Sequence, residues 1–226
     1  MATMIDSWAG NDGNDGDDDR LRRGVTARFP YQPVDPEREP GRPGGDGVPP
    51  WLQERLFDRR IVMLGGRLDP AAASNAAAAL MTLDAIGVDP IQLHLTAIDG
   101  ELSAAFAVVD AVASMRAPVD VVIPSQAGGA ALAVLAAARR RLAFPHARIR
   151  LVEPQASIAS GTAEKVAGAA GVHLRELEEL ILALAEVTGQ TRSRVEDDLS
   201  AGRILSASDA REYGLIDDIV GPSSEL

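Results

Sequence analysis

Between residues 60 and 220, short apolar runs alternate with longer segments of helical periodicity. The run Ile61-Val62-Met63-Leu64 stops at Gly65-Gly66, which is typical of a buried strand. Asp69-Pro70 then offers an N-cap and a first-turn proline for an alanine-rich helix that should end near Ile86. Further strands are predicted at 91–95, 119–123, 147–152 and 216–220, and further helices at 104–115, 129–140, 173–187 and 208–213. This alternation predicts an α/β fold with a mainly parallel sheet, right-handed crossovers and helices outside.

Residues 1–50 differ in composition from the rest of the chain. Their first part is rich in Asp, Gly and Asn, and residues 33–50 are rich in Pro, Gly and charge. Such a segment cannot bury enough apolar surface to offset its ordering entropy. We therefore predict a mostly disordered tail over residues 1–50 and one compact domain over residues 51–226.

Composition excludes several classes of function. The 226 residues include no cysteine, which excludes disulfides, thiolate metal sites and a Cys nucleophile. With 22 Lys and Arg against 33 Asp and Glu, the net charge of −11 disfavours nucleic acid and anionic membranes as partners. The apolar runs are too short to cross a bilayer, and no signal-peptide pattern opens the chain. We expect a soluble cytoplasmic protein that needs no cofactor.

Ligands of parallel α/β folds gather at the carboxyl ends of the strands, so the loops after residues 95, 123 and 152 are the candidate sites. The first loop holds two carboxylates, Asp99 and Glu101. The second, residues 124–130, is built from small residues and leads into a helix, which favours an anion or oxyanion site. No histidine stands in any of these loops. His94, His146 and His173 are isolated on separate elements, so no metal site is predicted.

Several landmarks between residues 51 and 220 resemble the ClpP family, the proteolytic subunits of ATP-dependent Clp proteases. They are the opening strand with Gly65-Gly66, Pro118-Val119-Asp120-Val121-Val122, Gln126-Ala127, Pro145-His146-Ala147-Arg148, Thr188-Gly189-Gln190, and the ending from Leu205 to Asp217. The resemblance implies a ClpP/crotonase-like fold with a protruding handle helix that pairs two heptameric rings face to face. In the predicted handle helix, Leu174, Leu177, Ile181 and Leu184 keep one face and are expected to mediate oligomerisation.

The same resemblance implies that the catalytic triad is absent. Aligned with the family motif Gly-Gln-Ala-Ala-Ser-Met-Gly, this chain places Gly129 at the nucleophile position. Val152 stands at the position of the general base, and Gly202 at the position of the third member, an Asp. None of these residues can transfer a proton.

Two further sites of the family are altered. The oxyanion loop carries Asp99 and Gly100, with Ala130 after the nucleophile position, and a carboxylate there opposes a developing negative charge. Gln92 and His94 replace tyrosines of the outer pocket that docks ATPase loops in the family. Docking of a Clp ATPase through that pocket is therefore not expected, because aromatic contacts supply much of the binding energy of such a groove.

The resulting functional hypothesis is a catalytically inactive ClpP-like subunit, a pseudoprotease. It would assemble into rings, alone or with a catalytic ClpP paralogue, and modulate the Clp proteolytic complex. Two alternatives stay open. One is an active ATP-dependent serine endopeptidase with a relocated nucleophile, for which Ser125 is the candidate. The other is a crotonase-like acyl-CoA binding protein or hydratase that uses Asp99 and Glu101 for acid–base work.

Overall fold

The computed structural model describes residues 49–156 and 161–221. The predicted tail, residues 1–50, lies outside the described residues except for its last two. The helices are α1 Pro50–Asp58, α2 Pro70–Ile86, α3 Leu102–Ser114, α4 Ala131–Ala136, α5 Ala163–Thr188, α6 Arg192–Ser200 and α7 Ala207–Tyr213. The strands are β1 Ile61–Leu68, β2 Ile91–Gly100, β3 Val119–Ile123, β4 Gln126–Gly128, β5 Arg140–Ala143, β6 Arg148–Arg150, β7 Ile204–Ser206 and β8 Asp218–Ile219. Within these residues no helix is long and apolar enough to cross a membrane.

The main sheet has five strands in the order β1-β2-β3-β5-β8, and all neighbouring pairs are parallel. Helices α2 and α3 connect its first three strands. A smaller sheet, β4-β6-β7, pairs β4 and β6 in parallel and β6 and β7 antiparallel. The predicted α/β fold with a mainly parallel sheet and flanking helices is confirmed.

Burial explains why the strands predicted at 91–95 and 119–123 are present in the structure. In β2, alternate side chains from Ile91 to Ala97 are fully buried, and all five residues of β3 are buried. Helix α2 begins where the N-cap predicts, since the Asp69 carboxylate accepts a hydrogen bond from the Ala72 amide at 2.8 Å. Local sequence and burial therefore agree in this half of the domain.

The prediction of one helix over residues 129–140 was wrong. Gly129 has a positive φ of 57°, so helix α4 starts only at Ala131. The helix ends after six residues, and Arg140 begins strand β5 instead. The three arginines at 139–141 therefore follow the helix and lead into strand β5. Arg139 donates two hydrogen bonds to the carboxylate of Asp120, at 3.0 and 2.9 Å.

Helix α5 is longer than the predicted 173–187. It runs from Ala163 to Thr188, and the Thr162 hydroxyl caps its first turn. Its amino-terminal half lies mostly away from the core, so the periodicity that marks a buried face is weak there. Pattern reading also missed α1, α6 and the short strands β4 and β7, which contain too few residues to show a period.

Candidate functional site

Gly129 occupies a sharp turn between β4 and α4. Its left-handed backbone conformation, with φ at 57°, is one that a side chain adopts only at a cost. A Cβ atom placed there would lie 3.3 Å from the carbonyl oxygen of Ile98 and 4.0 Å from Cγ1 of Val152. The nucleophile and base positions implied by the resemblance therefore face each other, and neither carries a reactive group.

Gly202 reaches the same region through the small sheet. The amide of Leu151 donates a 2.8 Å hydrogen bond to the carbonyl of Arg203, which holds Gly202 beside the chain that leads into Val152. Gly202 also has a positive φ, 68°, and a Cβ on it would meet nothing within 4 Å. The structure thus brings the nucleophile and base positions together, while Gly202 lies beside the strand that leads into Val152 and does not line the cleft between them.

A cleft of about 270 Å³ opens between Gly129 and Val152. Its lining residues are Ile98, Asp99, Gly129, Arg150, Val152, Glu153, Pro154 and Gln155. This set includes no hydroxyl, thiol, imidazole or amine. The cleft therefore lacks the hydroxyl and the imidazole that a Ser-His pair supplies in acyl transfer.

The first candidate loop contributes Asp99 to this cleft. Its carboxylate forms a 2.7 Å ion pair with Arg67 and accepts a 2.8 Å hydrogen bond from the amide of Gly100. The register of β1 against β2 shifts between Gly66 and Arg67, which brings Arg67 opposite Asp99. A carboxylate paired with Arg67 thus lines the cleft in the loop that the resemblance assigns to the oxyanion site, which needs donors. Ala130, on the other side, is fully buried.

The residues of the two enzyme alternatives do not converge in this cleft. Ser125 is exposed before β4, at the opposite end of that strand from Gly129, and does not line the cleft. Glu101 lines a separate cleft with His173 and Glu176, at the side of α5. Asp99 and Glu101 therefore face different cavities, which gives no support to their acting as one acid–base pair.

Gln92 and His94 lie on one face of β2, beside Asp120 and Val122 of β3 in register. Nε2 of His94 is 3.3 Å from Oε1 of Gln92, a weak hydrogen bond in the tautomer protonated at Nε2. Burial lowers the pKa of His94 below its ordinary value, so the ring is neutral near pH 7. Asp120 is only 7% exposed and is held by Arg139. Gln92 and His94 are thus polar where the family resemblance implies aromatic side chains.

The residues of the predicted contact face of α5 lie in two different environments. Ile181 and Leu184 are 4% and 1% exposed and belong to the core of this chain, and Leu177 packs partly against it. These side chains explain the apolar period without any second subunit. Leu174 is 64% exposed, and Val172 and Leu182 are also exposed. Among the described residues, these three are the large apolar side chains of α5 that are exposed to a partner.

A polar cluster missed by sequence reasoning surrounds the third triad position. The hydroxyl of Tyr213 donates a 2.9 Å hydrogen bond to Asp198, which also pairs with Arg203 at 3.2 Å. The guanidinium of Arg203 lies 5.6 Å from the centre of the Tyr213 ring. Burial, followed by the hydrogen bond to Asp198, raises the pKa of Tyr213 to about 12. Asp198 thus serves the packing of α6 on α7 and is not free to orient a base.

Arg150, at the end of β6, is a second residue that sequence reasoning missed. Alternation in β6 was the available signal, because Ile149 and Leu151 are fully buried while Arg148 and Arg150 take the other face. Its place beside the nucleophile position depends on the pairing of β6 with β4, which no local pattern reveals.

Among the described residues, no group of three His, Asp or Glu side chains is placed to hold a metal ion.

Comparison with known proteins identifies the family. The Clp protease family model matches residues 51–223. The chain is 31% identical over 169 residues to the ATP-dependent Clp protease proteolytic subunit 1 of Thermobifida fusca, covering 74% of this chain and 76% of the relative. It is 32% identical to proteolytic subunit 1 of Rhodococcus jostii, with 74% and 77% covered, and 31% identical to proteolytic subunit 2 of Streptomyces coelicolor, with 74% and 78% covered. The chain therefore belongs to the Clp protease family.

Proposed function

We propose that this chain is a catalytically inactive ClpP-like subunit, which assembles into rings, alone or with a catalytic ClpP paralogue, and modulates a Clp proteolytic complex. One observation carries the proposal: Gly129 and Val152 face each other across the cleft at the nucleophile and base positions. The chain keeps the fold of the family, but these two positions carry neither the hydroxyl nor the imidazole that peptide hydrolysis would use.

Acyl transfer needs a nucleophile, a base and donors for the developing oxyanion. At the base position the cleft has the apolar side chain of Val152, and at the nucleophile position it has Gly129, which carries no hydroxyl. Its ionisable side chains are Asp99, Arg150 and Glu153, and Asp99 is already paired with Arg67. A carboxylate next to the oxyanion position raises the barrier, because it opposes the negative charge that develops there.

The relatives support association with other subunits. Their names distinguish a proteolytic subunit 1 from a proteolytic subunit 2, so the family includes proteins identified as separate subunits. The exposed apolar side chains of α5, Leu174 and Leu182, offer a surface for such association. Closed rings require heterologous contacts between neighbours, and a chain with the family fold can provide these without chemistry of its own.

The catalytic part of the proposal is tested with the full chain, produced in a host that lacks its own ClpP. We expect no hydrolysis of a fluorogenic peptide and no labelling by a fluorophosphonate. Turnover that Ser125→Ala abolishes, while the control Ser103→Ala leaves it intact, would contradict the proposal. Ser103 is a suitable control because it lines the other cleft, beside Glu101.

The assembly part is tested by tagging the chain in its native cell and identifying its companions by mass spectrometry. We expect either a catalytic ClpP paralogue in fixed ratio or a homomeric ring of this chain. A stable monomer, seen by light scattering at micromolar concentration with and without the paralogue, would contradict this part of the proposal.

A further inference from the structure

Arg150 is a cation without a carboxylate partner in the candidate cleft. No hydrogen bond or ion pair joins its guanidinium to any other residue in the described part of the chain, and its Nε atom is buried without a hydrogen-bond partner. By contrast, Arg67, Arg139 and Arg203 each pair with an aspartate. An unpaired, half-buried guanidinium costs free energy that a bound anion can recover.

Close backbone packing sets the position of Arg150. Gly128 lies opposite Arg150 in the pairing of β4 with β6. A Cβ on Gly128 would lie 2.7 Å from the carbonyl oxygen of Arg150 and 2.8 Å from its Cβ, so only glycine permits this approach. The arginine is therefore held next to Gly129, inside the cleft that a peptidase of this family would use.

The other charges of the cleft leave this cation available. The Asp99 carboxylate is engaged by Arg67 at 2.7 Å. Glu153 is exposed beside Val152 and has no ion pair with a described residue. The cleft also offers apolar walls from Ile98 and Pro154. This combination of one free guanidinium, apolar walls and about 270 Å³ suits the end of an extended chain better than a folded partner.

We propose that the cleft binds a peptide through a carboxylate, which pairs with the guanidinium of Arg150. The planar fork of arginine matches the two oxygens of a carboxylate, and such charge-assisted pairs are among the strongest hydrogen bonds in proteins. The inference rests on the proposed inactive subunit, since it makes the former catalytic cleft a holding site. Two sources share this chemistry, a free peptide C-terminus and a Glu or Asp side chain.

The test uses fluorescence anisotropy of three labelled hexapeptides with the full-length chain. One has an apolar sequence and a free C-terminus, the second has the same sequence with a C-terminal amide, and the third is amidated but contains one Glu. We expect the first or the third to bind at least tenfold more tightly than the second. The peptide that binds identifies the source of the carboxylate.

Variants assign the binding to Arg150. Arg150→Gln should weaken binding of the charged peptide by about tenfold or more, and Arg150→Lys should recover only part of it, because an ammonium lacks the fork. Arg148→Gln is the matched control, since Arg148 lies two residues earlier on the same strand and does not line the cleft. Arg150→Gln should melt at or above the wild-type temperature, because it removes an unpaired charge.

The outcomes separate this inference from the proposed function. Equal binding of all three peptides, or loss of binding in Arg148→Gln to the same extent as in Arg150→Gln, would overturn the role of Arg150 while leaving the inactive subunit intact. A change of oligomeric state in Arg150→Gln would assign the guanidinium to a contact between subunits and would also overturn it. Mass spectrometry of the recovered peptides provides the other arm, because cleavage would contradict the inactive subunit itself.

Discussion

A Cβ atom on Gly129 would lie 4.0 Å from Cγ1 of Val152, so the two positions that the family resemblance assigns to a nucleophile and its base are within contact distance. Neither position carries a hydroxyl or an imidazole. This arrangement determines what is expected when a serine and a histidine are introduced at the two positions.

Gly129→Ser alone should remain without peptidase activity, because a triad member acts only with its partners. It should also lower the stability of the fold by about 1 kcal/mol, since φ is 57° and the new Cβ would lie 3.3 Å from the Ile98 carbonyl oxygen. Fluorogenic peptide hydrolysis and thermal melting measure the two effects.

The triple variant Gly129→Ser, Val152→His and Gly202→Asp supplies the control for that measurement. It should remain weak while Asp99 stays in the cleft, and adding Asp99→Gly should raise any activity it has. Strong hydrolysis by Gly129→Ser alone would mean that another base already serves this position.

The exposed and buried residues of α5 should respond differently to substitution. Leu174→Glu should weaken self-association or association with a paralogue while leaving the melting temperature of the dissociated chain unchanged, because Leu174 is 64% exposed. Ile181→Ala should instead destabilise the fold by about 2–5 kcal/mol, as truncation of a buried isoleucine does. Analytical ultracentrifugation and chemical denaturation separate the two effects. Unchanged assembly in Leu174→Glu would remove α5 from the interface.

His94 should contribute a pH dependence to stability. Burial lowers its pKa below the ordinary 6.5, so the unfolded chain binds more protons than the folded chain between the two values. The stability that neutral His94 contributes is fully present above its pKa in the unfolded chain. It is lost as the pH falls through the lower pKa of the folded chain. His94→Gln should reduce the loss of stability between about pH 7 and pH 5. His146→Gln, at an exposed position, is the matched control for the substitution itself.

Asp217 should stabilise the carboxyl-terminal part of the domain through Arg141. Burial raises the pKa of Asp217, but the hydrogen bonds and charge of Arg141 outweigh it and hold the pKa below its ordinary value. The Arg141 side chain also donates to the carbonyls of Val187 and Gly214, so it ties β5 to the ends of α5 and α7.

Asp217→Asn should therefore cost about 1–2 kcal/mol near pH 7. The advantage of the wild type is present above the ordinary pKa of about 3.8 and should vanish as pH falls through the lowered folded value. Asp218→Asn should cost less than about 0.5 kcal/mol, because its contact with Arg211 is long, at 3.8 Å, and exposed. Equal losses in the two variants, measured by urea denaturation, would contradict this assignment.

Deletion of residues 1–48 should leave the melting temperature within a few degrees of the full-length value. The composition of this segment offers little apolar surface to a core. A fall of more than about 10 °C, well above the effect of 1 kcal/mol in a domain of this size, would mean that the segment packs on the domain.

Sequence alone determined the α/β class, the principal strands and the helices α2 and α3, because apolar runs such as 119–123 are buried on both faces and Asp69-Pro70 starts a helix locally. The resemblance also assigns Gly129, Val152 and Gly202 to the positions of a triad. Local pattern could not show that Ile181 and Leu184 serve the core of the chain, since an apolar helix face is the same whether it packs on its own domain or on a partner. Nor could it place Arg150 in the cleft. Only the tertiary structure decided that, because the pairing of β6 with β4 is a long-range contact and depends on a glycine, Gly128, that permits the strands to approach.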